Sequence, residues 1–156
     1  MFIRDEIQAR TMDAAIYFTS TFGNGERVMR MLQSELVNKG YTVTMEKLKR
    51  GTSARAADVL IFSSPTHAGS PVGKMKRFLA SMPEQSGRYA LATTYGESLP
   101  KTLDIMDDLL SGKGMQKVAD MAVPVKGIRD QSLEAQAAGM VRDFAEKIDI
   151  ACRSSF

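Results

Sequence analysis

The stretch Ala14-Ala15-Ile16-Tyr17-Phe18-Thr19-Ser20-Thr21-Phe22-Gly23-Asn24-Gly25-Glu26-Arg27 narrows the folds open to this chain more than any other. An apolar run, short enough for a buried strand, stops at a loop of hydroxyls and glycines, and Val28, Leu32 and Leu36 then recur at helical spacing. The loop has the chemistry of a phosphate cradle. Ser20 and Thr21 supply hydroxyl donors, Gly23 and Gly25 let the main chain approach a ligand, and a helix opening near Asn24 presents N–H groups at its positive end. A plain Ser/Thr/Gly turn with Asn24 as helix cap is the other reading of the same residues. The loop holds no lysine, so it lacks the G-x-x-x-x-G-K-[ST] pattern of nucleotide triphosphatases, and it lacks the G-x-G-x-x-G of dinucleotide folds as well.

The same alternation continues down the chain. Residues 1–13 carry no period and read as a leader before a domain spanning 14–152. The helix from Asn24 to Asn38 stops at Lys39-Gly40. Thr42 to Leu48 alternates, with Val43 and Met45 on one face, as an edge strand does. Lys49 to Ala57 has room for one or two turns capped by Ser53. Val59-Leu60-Ile61-Phe62 is continuously apolar, which fits the centre of a parallel sheet. A loop from Ser63 to Pro71 leads to a helix with Val72, Met75, Leu79 and Met82 on one face, Pro71 standing in its first turn. Arg88 to Thr94 is the next strand. The loop Thr94-Tyr95-Gly96-Glu97-Ser98 follows, then a helix through Leu99, Leu103, Met106 and Leu110 that ends at Gly112. Met115 to Val125 holds the last strand, placed at an edge by Pro124, and Ser132 to Cys152 the last helix. The pattern predicts one α/β domain: five parallel strands between helical layers, doubly wound.

Composition narrows function by exclusion. At 156 residues the chain is the length of one domain. With Cys152 as its only cysteine it forms no internal disulfide, and with His67 as its only histidine it has neither a structural zinc cluster nor most nucleophile triads. The N-terminal residues have no apolar signal core, and no run is long enough for a membrane span, so the expected location is cytoplasmic. A net charge of +3 raises the question of nucleic acid. The basic clusters Lys47, Lys49, Arg50 and Lys74, Lys76, Arg77 have no interleaved aromatics for base stacking, and read as solvated surface.

In open parallel sheets ligands bind beyond the carboxyl ends of the strands, so the loops after the first, third and fourth strands converge on one rim. At that rim the chain resembles the flavodoxin-like proteins, of the short-chain type and nearest in flavour to the flavodoxin domains of flavodiiron proteins. Thr19-Ser20-Thr21-Phe22-Gly23-Asn24-Gly25 resembles the family's FMN-phosphate loop, Ser63 to Pro71 its second flavin loop, and Ala92-Thr93-Thr94-Tyr95-Gly96 its third. The resemblance implies strand order 2-1-3-4-5. It also implies FMN as cofactor, held by Thr19, Ser20, Thr21, Phe22, Gly23, Asn24, Gly25, Pro65, Thr66, His67, Ala68, Gly69, Thr94, Tyr95, Gly96 and Glu97. Tyr95 is the expected stacking partner of the ring, and His67 is expected near the ring edge. Two departures stand out: Gly25 sits where the family usually carries a threonine, and Phe22 replaces a small or hydroxyl residue.

The resemblance implies an FMN-binding electron-transfer protein with no catalytic residues of its own, an oxidoreductase if it turns over substrate at all. Its redox partner is expected to present an acidic docking surface to the basic rim, with no nucleic acid and no membrane involved. Two alternatives remain open: a module of the same fold that has lost FMN and serves as a binding or regulatory partner, and a small NAD(P)H-dependent FMN or quinone reductase.

Overall fold

The computed structural model describes residues 11–96, 99–125 and 130–154. Residues 1–10 of the expected leader and Glu97 of the expected site lie outside them. In order, the elements are β1 (Met12–Phe18), α1 (Asn24–Asn38), β2 (Tyr41–Lys47), β3 (Val59–His67), β4 (Ser70–Pro71), α2 (Gly73–Ala80), β5 (Arg88–Tyr95), α3 (Thr102–Leu110), β6 (Gln116–Pro124) and α4 (Asp130–Arg153).

The parallel strands run β2-β1-β3-β5-β6, and β4 pairs antiparallel with the far end of β3. Counting the five parallel strands alone, this is the 2-1-3-4-5 order that the resemblance implied. The register sets Phe18 beside both Lys47 and Ser63, Pro65 beside Thr94, and Tyr95 beside Pro124. All five carboxyl ends therefore open on one rim.

Strand side chains alternate between the two faces, and here both faces are apolar, which requires helices on both. Met12, Ala14, Ile16 and Phe18 of β1, with Val59, Ile61, Ala90 and Ala92, pack against α1 and α4. Ala15 and Tyr17, with Leu60, Phe62, Tyr89 and Leu91, pack against α2 and α3. Val28, Met29, Leu32 and Leu36 of α1 are buried, each contributing roughly 1.5–3 kcal/mol over an exposed side chain. Met29, Met75 and Met106 are fully buried and serve as core. Helices α1 and α4 are also joined by a bidentate Arg27–Glu134 pair at 2.9 and 2.6 Å and by Lys39–Glu146 at 2.8 Å.

Several boundaries differ from the sequence expectation. β1 begins at Met12, inside the stretch read as leader. β3 continues as strand to His67, because Ala68 and Gly69 turn the chain tightly enough for Ser70-Pro71 to pair back on Thr66 and His67. Pro71 thus sits in an edge strand, where its missing N–H costs nothing, and α2 starts later, with Val72 as its cap. Leu99 does not join α3: it directly precedes Pro100, which disfavours helical backbone at that position, and its side chain is 77% exposed. No helix forms between Lys49 and Ala57.

Candidate functional site

Thr19 leaves β1 with its N–H donated to the Ser63 carbonyl at 3.0 Å, which ties the first rim loop to the central strand. Its hydroxyl is the one buried side-chain polar atom among the described residues with no hydrogen-bond partner. Leaving such a group unpaired costs about 1–3 kcal/mol, so a ligand that accepts its proton recovers that cost. Ser20 is differently employed. Its Oγ accepts the Gly23 N–H at 3.1 Å, which folds the loop on itself and leaves the hydroxyl proton to be donated outward.

Gly23 caps α1 at φ 88, a left-handed conformation in which a side chain would be strained, and no side chain caps the helix. The plain-turn reading of the sequence put Asn24 in that role; it is instead the first helical residue, because the reversal at Gly23 already turns the chain into the helix. Arg27 donates the first intrahelical bond, to Gly23 O at 3.0 Å, so the amides of Asn24, Gly25 and Glu26 precede the ladder at the positive end of the helix. A Cβ at Gly25 would sit 3.4 Å from the Thr19 carbonyl oxygen, so loop and first turn are in contact there. Phe22, at the loop tip, is 88% exposed.

A cavity of about 300 Å³ opens against this loop, lined by Thr19, Ser20, Thr21, His67, Lys47 and Lys74, with Leu48 and Val72 as its apolar wall. Thr21 Oγ1 and His67 Nε2 are hydrogen bonded at 3.0 Å, joining the first rim loop to the β3–β4 hairpin. The structure therefore places His67 at the hydroxyl loop, with Thr21 as its partner. The hairpin turn has φ 52 at Ala68 and φ 78 at Gly69, both positive as a two-residue type I′ turn requires. Alanine pays for that conformation and glycine does not. Ser64 Oγ accepts the Val72 N–H at 3.1 Å and donates to the Pro65 carbonyl at 2.9 Å, fixing the hairpin against the start of α2.

The third loop is held by hydroxyls. Thr66 Oγ1 bonds Thr93 Oγ1 at 2.8 Å and Thr102 Oγ1 at 2.7 Å, linking hairpin, β5 and α3. Thr94 is buried, Tyr95 half-buried and Gly96 exposed, with Tyr95 O accepting the Val125 N–H at 2.8 Å. Thr19, Ser20, Thr21 and His67 thus meet in one cavity, whereas Phe22, Pro65, Thr66, Gly69, Thr94, Tyr95 and Gly96 stand on the rim without lining it.

Sequence reading missed the contributions of Lys47, Ser64 and Thr102. Lys47 was grouped with solvated surface, although pairing β2 in parallel with β1 brings it beside Phe18 and so to the mouth of the loop. With Lys74 from α2 it brings positive charge to a loop that has no lysine of its own. An orphaned buried hydroxyl, uncapped amides and two lysines together suit a phosphate. Among the described residues no His/Cys/Asp/Glu group is arranged to hold a metal. Cys152 is buried in the α1–α4 layer, where burial pushes its thiol pKa up, unlike a reactive nucleophile.

No protein-family model and no curated protein matches the sequence. Solved structures do. Oxidised flavodoxin 2 from Bacillus cereus matches at 17% identity and TM-score 0.73, over 89% of this chain and 99% of that one. A flavodoxin from Streptococcus pneumoniae matches at 20% identity and TM-score 0.68, again over 89% and 99%. The flavodiiron core from Synechocystis matches at 19% identity and TM-score 0.68, over 97% of this chain but 38% of that one. The fold is flavodoxin-like.

Proposed function

We propose that the protein binds FMN with the phosphate in the Thr19–Gly25 loop and serves as a one-electron carrier. The observation that carries this reading is the buried, unpartnered Thr19 hydroxyl in a cavity that Lys47 and Lys74 also line. When bound, FMN supplies the electron-transfer chemistry. The chain's own residues do the rest. Thr19 and Ser20 donate to phosphate oxygens, the first amides of α1 add their dipole, and Lys47 and Lys74 neutralise charge. His67 buttresses Thr21 from the hairpin, and the Thr66–Thr93–Thr102 network keeps hairpin and third loop in fixed relation, so that Tyr95 is presented at the rim. The hydroxyl absent at Gly25 is offset by these lysines.

Net basic charge and the rim cations Lys74, Lys76 and Lys101 suit a redox partner with an acidic docking surface, met by a soluble carrier in the cytoplasm. Among the described residues no helix is long and apolar enough to cross a membrane.

Reconstitution tests the assignment. The FMN-loaded protein, photoreduced without oxygen, is expected to pass single electrons to an acidic c-type cytochrome, while NADH and NADPH oxidation with a quinone stays at background. Steady nicotinamide oxidation by the protein alone would transfer it to the reductases.

A further inference from the structure

A second cavity, of about 600 Å³, adjoins the phosphate cavity and shares Leu48 and Lys74 with it. Lys49 and Arg50, from the loop after β2, and Lys74 and Arg77, from α2, line it, and no carboxylate does. Among the other described cations five pair with acids, Arg27 with Glu134, Arg30 with Glu26, Lys39 with Glu146, Lys117 with Asp120 and Arg153 with Asp149, and the rest, Lys47 and Lys76 among them, do not. None of the four groove cations has such a partner among the described residues. Four exposed cations around one groove, with no carboxylate in its lining, favour an anion there.

The groove is shaped for more than charge. Arg77 folds back over the start of its own helix, its Nη1 only 3.2 Å from where a Cβ of Gly73 would stand, so the glycine leaves the guanidinium its place. Leu48 and Phe78 form an apolar floor, and Phe78 is fixed from behind by Tyr17 and Phe62, with ring centroids at 5.5 and 6.1 Å. Phosphate-binding cations over a fixed aromatic floor match a nucleotide: a second phosphate for the cations, a base for the floor.

We propose that this groove is a second phosphate subsite, which takes the distal phosphate and base of a flavin dinucleotide whose first phosphate lies in the Thr19–Gly25 loop. The proposal rests on the flavin reading above and extends the ligand from one phosphate to two. The orphaned Thr19 hydroxyl marks one end of the combined cleft and Arg50 and Arg77 the other.

Calorimetric titration with riboflavin, FMN and FAD, on wild type and on an Arg50→Gln, Arg77→Gln double variant, tests it. Lys74 is left intact because it lines both cavities. FAD should bind at least about tenfold tighter than FMN, the worth of one added charge-assisted contact, and the double variant should lose that advantage with FMN affinity unchanged. FAD no tighter than FMN overturns the proposal, and AMP binding to the FMN-loaded protein that the double variant weakens would then assign the groove to a separate nucleotide instead. An FAD advantage that the double variant retains overturns it as well. If FMN itself fails to bind, the flavin reading falls. Pyrophosphate on the unloaded protein then decides the groove: binding that the double variant weakens keeps it, and no binding removes it.

Discussion

Thr19 and Ala68 each hold a conformation or a polar group at a cost the isolated chain does not recover. Replacing Thr19 by valine removes the orphaned hydroxyl at nearly constant shape, so the unloaded protein should gain on the order of 1 kcal/mol in denaturant melts. The same variant should lose about tenfold in FMN affinity while riboflavin binding holds, because only the phosphate contact is gone. Stability and affinity moving in the same direction would show that the hydroxyl has a purely structural role. Ala68, at φ 52, is the other case. Asparagine tolerates this conformation and Asn-Gly is the favoured pair for a type I′ turn, so Ala68→Asn should raise stability by about 1 kcal/mol, or roughly 2–4 °C in Tm. A lowered Tm would mean that the turn is set by something other than its backbone.

Hydrophobic period made the strands and helices legible in the sequence, since Val59 to Phe62 reads as a strand buried on both faces and Val28, Leu32 and Leu36 as one face of a helix. Local chemistry that competes with period was less legible. The β3–β4 hairpin was hidden because alanine is not a residue that signals a positive φ, and Leu99 keeps helical spacing while Pro100 bars it from the helix. Lys47 became a site residue only through the β1–β2 register, a tertiary fact. The layer between α1, β2 and α4 has its own pH signature. Burial raises the pKa of the Cys152 thiol and of Tyr41, whose hydroxyl bonds Asp149 at 2.9 Å, and the Glu146 hydrogen bond raises that of Lys39. Each group is held protonated in the fold, so its contribution is whole below its unfolded pKa and lost as pH rises through the folded value. Stability should begin to fall near pH 8.5, where an unfolded thiol ionises, and further near pH 10. In Cys152→Ala the first fall should vanish and the second remain; an unchanged onset in chemical denaturation would contradict the assignment.

For the whole molecule, the sense of its charge sets the expectation. A unit charge roughly 8 Å from the ring at an effective dielectric near 40 is worth about 1 kcal/mol, on the order of 40 mV for a one-electron step. Cations at the rim stabilise the added negative charge, so Lys74→Glu, Lys76→Glu should lower the second one-electron potential by tens of millivolts, and a potentiometric titration that finds it unmoved would show that these lysines do not tune the flavin. Salt should slow association with an acidic partner for the same reason. All of this presupposes that the rim loop receives a flavin by its phosphate. Fluorescence titration of the unloaded protein with FMN and with riboflavin measures that claim directly. Saturable FMN binding, at least about tenfold tighter than riboflavin, is the predicted result; no FMN binding at high micromolar concentration, or equal affinity for the two, would contradict it.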